Sequence, residues 1–284
     1  MSSSPLKTTT PTKTGSGVID SMESGWPGET GIKMLVYGMS GSGKTTFWST
    51  FPGPILVAIC SGGRQPGEMR SLDTPDLRLK IKPVILRNTS QLRAVIDEQR
   101  ETNRFKTVVL DHVSGLQDYA LKEVLGLGDD KDLPAQMGWG VASQQQWGQC
   151  TAICKEYLRM MLSLSANVVI VGQERSSHSD DAAANDIMAP TVGVATTPSL
   201  AGWLNPAVDY IGQMFKRPKM EVVKTTVGKQ VVESVRRGKG VEYCLRTAPH
   251  DVVTTKFRVP RGQELPEYIV DPSYDKILQI LKGS

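Results

Sequence analysis

Residues 32–50 read Ile32-Lys33-Met34-Leu35-Val36-Tyr37-Gly38-Met39-Ser40-Gly41-Ser42-Gly43-Lys44-Thr45-Thr46-Phe47-Trp48-Ser49-Thr50. The apolar run Met34 to Tyr37 has the length and character of a buried strand, and it stops at Gly38. Gly38, Gly43, Lys44 and Thr45 then fall at the spacing of a loop that wraps a phosphate group. Glycines let the backbone curl so that successive N–H groups converge on an anion with no Cβ in the way. Lys44 brings its charge to the β- and γ-phosphates, and the Thr45 hydroxyl is placed to ligate Mg²⁺. A helix opening near Lys44 adds the positive end of its dipole. The expected nucleotide contacts are Gly38, Met39, Ser40, Gly41, Ser42, Gly43, Lys44, Thr45 and Thr46, with ATP and Mg²⁺ as cofactors.

The chain of 284 residues is long enough for one large α/β domain with additions. No apolar run reaches membrane-spanning length, and the N-terminus lacks the apolar core of a secretory signal. Four cysteines, Cys60, Cys150, Cys154 and Cys244, fit a reducing compartment. Cytoplasmic location is therefore expected, with no membrane partner. Cys150 and Cys154 lie one helical turn apart but lack the CxxC or histidine of a metal site, so they read as core.

Residues 1–30 are rich in Ser, Thr, Pro, Gly and Lys and read as a disordered tail. Beyond the phosphate loop, Thr45 to Phe51 predicts a short helix, Ile55 to Ile59 a strand, and 64–80 a polar loop. Ile81 to Leu86 reads as a strand, and Thr89 or Ser90 as the cap of a helix over Gln91 to Thr102. Strands alternating with helices predict a mainly parallel sheet covered on both faces. Thr107-Val108-Val109-Leu110-Asp111 is a buried strand ending in a carboxylate, the arrangement that holds Mg²⁺ beside a phosphate loop. Asp111 is thus the second expected metal ligand after Thr45, and His112 reads as structural. Leu116 to Leu125 and Trp139 to Leu164 read as helices. Asn167 to Gly172 predicts a strand ending in Gln173-Glu174-Arg175, where a polar side chain can sense the γ-phosphate or position water. Gln173 is the first choice for that role and Glu174 the second, so Lys44, Gln173 and Glu174 form the expected catalytic set. Residues 176–200 read as a long loop. They carry no arginine, which argues against the closing lid of a small-molecule kinase.

From Met220 onward, short alternating runs predict antiparallel strands over Glu221–Val223, Val231–Val235, Val241–Thr247 and Thr254–Val259, with turns at Gly228-Lys229 and Gly238-Lys239-Gly240. A last amphipathic helix covers Tyr274 to Leu281. Residues 216–261 hold twelve lysines and arginines against four acids, a local surplus of eight in a chain whose net charge is +4. Such a segment suits a phosphate backbone bound through counterion release. The expected division is a nucleotide-binding core over 31–215 and a basic β-rich extension over 216–284.

From Gly31 to about Leu281 the chain resembles the RecA-like phage ATPase family whose studied members are single-strand annealing proteins of the Sak type. The resemblance is carried by Val36-Tyr37-Gly38 before the loop, Thr107 to Asp111, Trp147-Gly148, Val169 to Arg175, and Tyr243-Cys244-Leu245-Arg246-Thr247 followed by Lys256-Phe257-Arg258. It implies a RecA-like P-loop core, ATP and Mg²⁺ binding, and single-stranded DNA as partner in phage recombination, annealing or replication. It also implies a homo-oligomer, a single-strand-binding protein as a further partner, and Gln173 as the γ-phosphate sensor. The loops at 126–138 and 176–200 would face the DNA, and Arg217 and Lys219 are candidates to act across a subunit boundary. One position departs from the family's pattern. Ser61 stands where relatives carry an acid before paired glycines, and a serine cannot serve as the carboxylate base. Hydrolysis is then slow, or depends on Glu68, Asp73 or Glu174. The alternative reading is a nucleotide-gated scaffold in a replication complex that does not hydrolyse ATP.

Overall fold

Apolar runs with no polar alternation can be buried on both faces only in a parallel sheet clad by helices, and this chain builds one. A computed structural model describes residues 31–61, 67–128, 142–177, 191–227 and 230–283; for 68, 177, 222–227 and 230–235 it describes backbone alone. In order these form β1 (Lys33–Gly38), α1 (Lys44–Ser49), β2 (Ile55–Ile59), a 3-10 turn (Gly67–Leu72), α2 (Pro75–Lys80), β3 (Ile81–Ile85), α3 (Thr89–Thr102) and β4 (Thr107–Asp111). Then come α4 (Val113–Val124), α5 (Gln144–Leu162), β5 (Asn167–Ser177), β6 (Thr191–Val194) and α6 (Pro198–Ala207). The chain ends with β7 (Tyr210–Val227), β8 (Gln230–Arg246), β9 (Lys256–Phe257), β10 (Tyr268–Val270) and α7 (Tyr274–Lys282). The sheet order is β10-β8-β7-β1-β5-β4-β2-β3, with β6 attached to β5 and β9 to β7. Strands β7, β1, β5, β4, β2 and β3 run parallel, while β8 and β10 add an antiparallel edge. No helix among the described residues is long and apolar enough to cross a membrane.

Period-2 alternation divides the core between the two faces. Leu35, Tyr37, Val108, Leu110, Val168 and Ile170 pack with α3, α4, α5 and α6. Met34, Val36, Val109, Val169 and Val171 face Phe47, Trp48, Phe51 and the Ile277 side of α7. Burying each of those aromatic rings is worth about 2–3 kcal/mol. Gly115 lets α4 approach the end of β2, since a Cβ there would stand 2.0 Å from Cys60 O.

Several elements depart from the sequence expectation. Asn88, rather than Thr89 or Ser90, caps α3, its side chain accepting from Gln91 N. The stretch 64–80 contains α2, capped by Thr74. Helix α5 begins at Gln144 behind a Ser143/Gln146 capping box. Strand β5 runs five residues past Gly172 because β6, which lies inside the expected long loop, takes up its backbone groups, and α6 begins at Pro198, just before that loop's expected end. Pro206 removes a donor from α6, and Lys256 Nζ serves the carbonyls at that end, reaching Asn205 O, Pro206 O and Val208 O at 2.6–3.1 Å. The four short C-terminal strands are largely one long hairpin, β7 with β8. Gly238-Lys239-Gly240 is no turn but lies within β8, opposite a register shift between Pro218 and Met220. The 215/216 boundary falls inside β7, which is bonded directly to β1. The expected tail over 1–30, Gly62-Gly63, 129–138, 178–190 and the Gly228-Lys229 turn lie outside the described residues.

Lys33 opens β1 as a buried cation. Its Nζ donates to Ala166 O at 2.6 Å and to Leu164 O, while desolvation lowers its pKa to about 8 against the opposing pull of Asp209. Below pH 8 both folded and unfolded chains carry the proton, and the burial cost is present in full. Between pH 8 and 10.5 the unfolded chain binds more protons, so this cost is relieved as pH rises. Urea denaturation of wild type and Lys33→Met is expected to show the difference moving in favour of wild type by about 2 kcal/mol between pH 7 and pH 10.

Candidate nucleotide-binding site

Strand register brings the site together. Gly38 lies opposite Gln173, and Asp111 lies opposite Val171 on the other edge of β5. The ends of β1, β5 and β4 thus form one rim at the carboxyl edge of the sheet, where open α/β folds hold ligands.

The loop between β1 and α1 is held by close contacts that exclude side chains. A Cβ at Gly38 would stand 2.2 Å from Met214 O, and one at Gly43 would stand 2.9 Å from Tyr243 Cδ1. Gly43 also has φ of 92°, a conformation that favours glycine. Lys44 is buried beneath the loop, its Nζ donating to Gly38 O at 2.7 Å and Met39 O at 2.9 Å. Desolvation lowers its pKa, opposed by the charges of Asp111 and Glu174. A cavity of about 510 Å³ opens over Ser40 to Phe47, a volume suited to a cofactor-sized ligand. Asp111, His112 and Gln173 lie on its wall, as do Thr50, Asp271 and Ser273.

The residues present fit a nucleotide with Mg²⁺. Ser42 Oγ is buried on the cavity wall with no hydrogen-bond partner, and the glycine cradle would be filled by any Cβ. Thr45 and Asp111 both line the cavity and supply the hard oxygen donors that Mg²⁺ takes together with phosphate oxygens. The described residues contain no cluster of three or more His, Cys, Asp or Glu side chains that could hold a metal; Mg²⁺ held by one or two protein oxygens takes its other ligands from phosphate oxygens and water. His112 serves the fold: its Nδ1 accepts from Gly115 N at 3.0 Å and from Ser114 Oγ at 2.8 Å, capping α4.

Among the polar residues expected on β5, alternation separates two neighbours. Gln173 shares the face of Val171 and lines the cavity. Glu174 faces the other way, outside the cavity wall, and accepts from Gln213 Nε2 at 2.9 Å. Its charge still reaches Lys44, whose proton it helps to hold. Asp73 is ion-paired with Arg78 at the surface, and the side chain of Glu68 lies outside the described residues. Ser61 follows Cys60, whose N–H donates to Asp111 O at 2.6 Å.

Sequence reasoning missed the contribution of the C-terminal part. Met214 and Tyr243 press on the loop glycines, and Lys216, opposite Tyr243 in the hairpin, has its Nζ 3.8 Å from where a Gly41 Cβ would lie. Asp271, Pro272 and Ser273 close the cavity beside Thr50. Tyr243 lies within a stretch that carries the family resemblance, but nothing in its spacing points to the phosphate loop. The hairpin's cations also divide. Arg217 pairs with Glu242 at 2.8 Å and stacks on Tyr268, Arg246 pairs with Glu267, and Arg258 with Asp209. Lys216, Lys219, Arg236, Arg237 and Lys239 are exposed, with no ion pair to a described acid.

A family model described as an AAA domain matches residues 30–259, from the residue before Gly31 to beyond β9. No curated protein matches the chain.

Two substitutions separate the phosphate from the metal functions of the cavity. Lys44→Ala is expected to weaken ATP binding about 100-fold. Asp111→Asn is expected to keep the binding seen in EDTA and lose the strengthening that Mg²⁺ gives. Titration calorimetry with and without Mg²⁺ checks both.

Proposed function

The chain belongs to the AAA domain family, a P-loop domain that binds nucleotide, and from that footing we propose a RecA-like ATPase that binds ATP with Mg²⁺ and engages single-stranded DNA. Its field of action is phage DNA recombination, annealing or replication. The observation that carries the nucleotide half is one cavity gathering Lys44, Thr45, Asp111 and Gln173 from three adjacent strand ends. The position of β5 between the strand that leads the loop and the strand that ends in Asp111 supports the RecA-like reading.

In this mechanism Lys44 turns from the loop carbonyls to the β- and γ-phosphates, a charge-assisted contact stronger than those it leaves. Thr45 and Asp111 would hold Mg²⁺, which when bound would supply charge neutralisation at the phosphate oxygens. Gln173 reports the γ-phosphate to β5. The DNA half is supported by the exposed cations of the β7–β8 hairpin and at its root, which suit a phosphate backbone. Arg217, engaged with Glu242 and Tyr268 in its own subunit, is a poor candidate to act across an interface, whereas Lys219 stays available. Homo-oligomerisation and contact with a single-strand-binding protein rest on the family resemblance alone.

A second reading, ATP binding with little turnover, is favoured by the carboxylate geometry. Among the described cavity-lining residues the acids are Asp111 and Asp271; Glu174 is engaged by Gln213, and position 61 holds a serine, which cannot act as a carboxylate base.

ATP hydrolysis with and without single-stranded DNA tests the proposal: a slow basal rate, stimulated several-fold by DNA, is expected. Arg236→Glu with Arg237→Glu is expected to lower DNA affinity and reduce the log–log salt slope by about 2. DNA binding that is absent, or indifferent to salt, would overturn the DNA assignment. Ser61→Glu is expected to raise the hydrolysis rate. Brisk turnover in the unaltered protein would remove the second reading.

A further inference from the structure

We infer that the turn Asp271-Pro272-Ser273 is the nucleoside rest of this site, with the Asp271 carboxylate accepting a hydrogen bond from a donor group on the sugar or base. The inference rests on the nucleotide reading above and goes beyond it to residues outside the segment 30–259 that the family model matches.

Polarity within the cavity sets the direction. Lys44, Asp111 and Gln173 mark the end for the terminal phosphate, so a bound nucleotide must run from them past Thr46 toward Phe47 and Thr50. The walls that meet it there are Ser71, Asp271, Pro272 and Ser273. An ionised carboxylate accepts hydrogen bonds and donates none, and beside phosphates it would be repelled. Its complementary partners on a nucleotide are ribose hydroxyls or an exocyclic amine.

The turn is built to hold that carboxylate in place. Asp271 has φ of 45°, left-handed for a residue other than glycine, a conformation that surrounding structure must impose. The restraints are visible. Asp271 N donates to Tyr243 O at 2.8 Å, and Lys276 Nζ donates to Val270 O at 2.8 Å and Asp271 O at 2.9 Å. Tyr274 N donates to Thr50 Oγ1 at 2.9 Å, tying the start of α7 to the end of α1. Thr50 and Ser273 hydroxyls are thereby engaged, Ser273 as the cap of α7. The bonds that Asp271 makes all use its backbone atoms, and no described residue bonds or pairs with its carboxylate. Pro272 is buried and offers the ligand an apolar wall.

The test compares ATP with inorganic tripolyphosphate, which occupies the phosphate end alone. Asp271→Gly removes the carboxylate without backbone strain, because glycine takes positive φ freely. Titration calorimetry is expected to show the ratio of ATP to tripolyphosphate affinity falling about tenfold in Asp271→Gly. Asp271→Asn should fall between this variant and wild type. Of two analogues, 2′,3′-dideoxy-ATP and purine riboside triphosphate, the one lacking the donor should bind wild type and Asp271→Gly alike, and so tell sugar from base. An unchanged ratio, or equal loss of ATP and tripolyphosphate, overturns the inference. Failure of the unaltered protein to bind either ligand overturns the nucleotide reading itself.

Discussion

The hydrogen-bond ladder of β5, parallel to β1 on one edge and to β4 on the other, is the constraint on which the site depends. The phosphate loop follows β1, and Asp111 ends β4. Each is carried to the rim by its own strand, and β5 sets the spacing between them. A slip of one residue in either ladder would exchange inward and outward side chains, sending Gln173 away from the cavity and Glu174 into it. Register therefore decides which polar residue faces the ligand. The buried apolar faces on both sides make that register costly to change.

The core of this arrangement is legible in the sequence because its signals are local. A strand, a glycine-rich loop and a lysine within a few residues encode the loop, and four valine- and isoleucine-rich runs encode a sheet buried on both faces. Asp111 is readable from its place at the end of such a run. The separation of Gln173 from Glu174 is not, because reading the stretch as a strand end hides the period-2 alternation that continues through it. β6, which prolongs β5, is too short and too mixed in composition to be seen alone. Likewise the cap of α3 lies one or two positions before the residues the pattern suggests, a choice that depends on which side chain can reach the third N–H.

The contribution of the C-terminal part is illegible for a different reason. Met214, Tyr243 and Asp271 meet the loop only because β7 docks beside β1 and folds β8 back along it, a long-range pairing with no local mark. Composition also overstates what that region offers to a polyanion. A count of lysines and arginines treats all cations alike, whereas Arg217, Arg246, Arg258 and Lys256 are occupied by carboxylates or by the carbonyls at the end of α6.

Strand β7 begins against β1 and continues, from Met220 to Val227, paired with β8 in a two-stranded ribbon. At about 3.3 Å per residue this ribbon is some 26 Å long. Its root touches Gly38 and Gly43 through Met214 and Tyr243, and the register shift between Pro218 and Met220 lies just outside that contact. The geometry is that of a lever with a short inner arm and a long outer one. A tilt of about 5° at the root carries the far end about 2 Å, so ångström-scale displacement far from the loop requires only a few tenths of an ångström beside it.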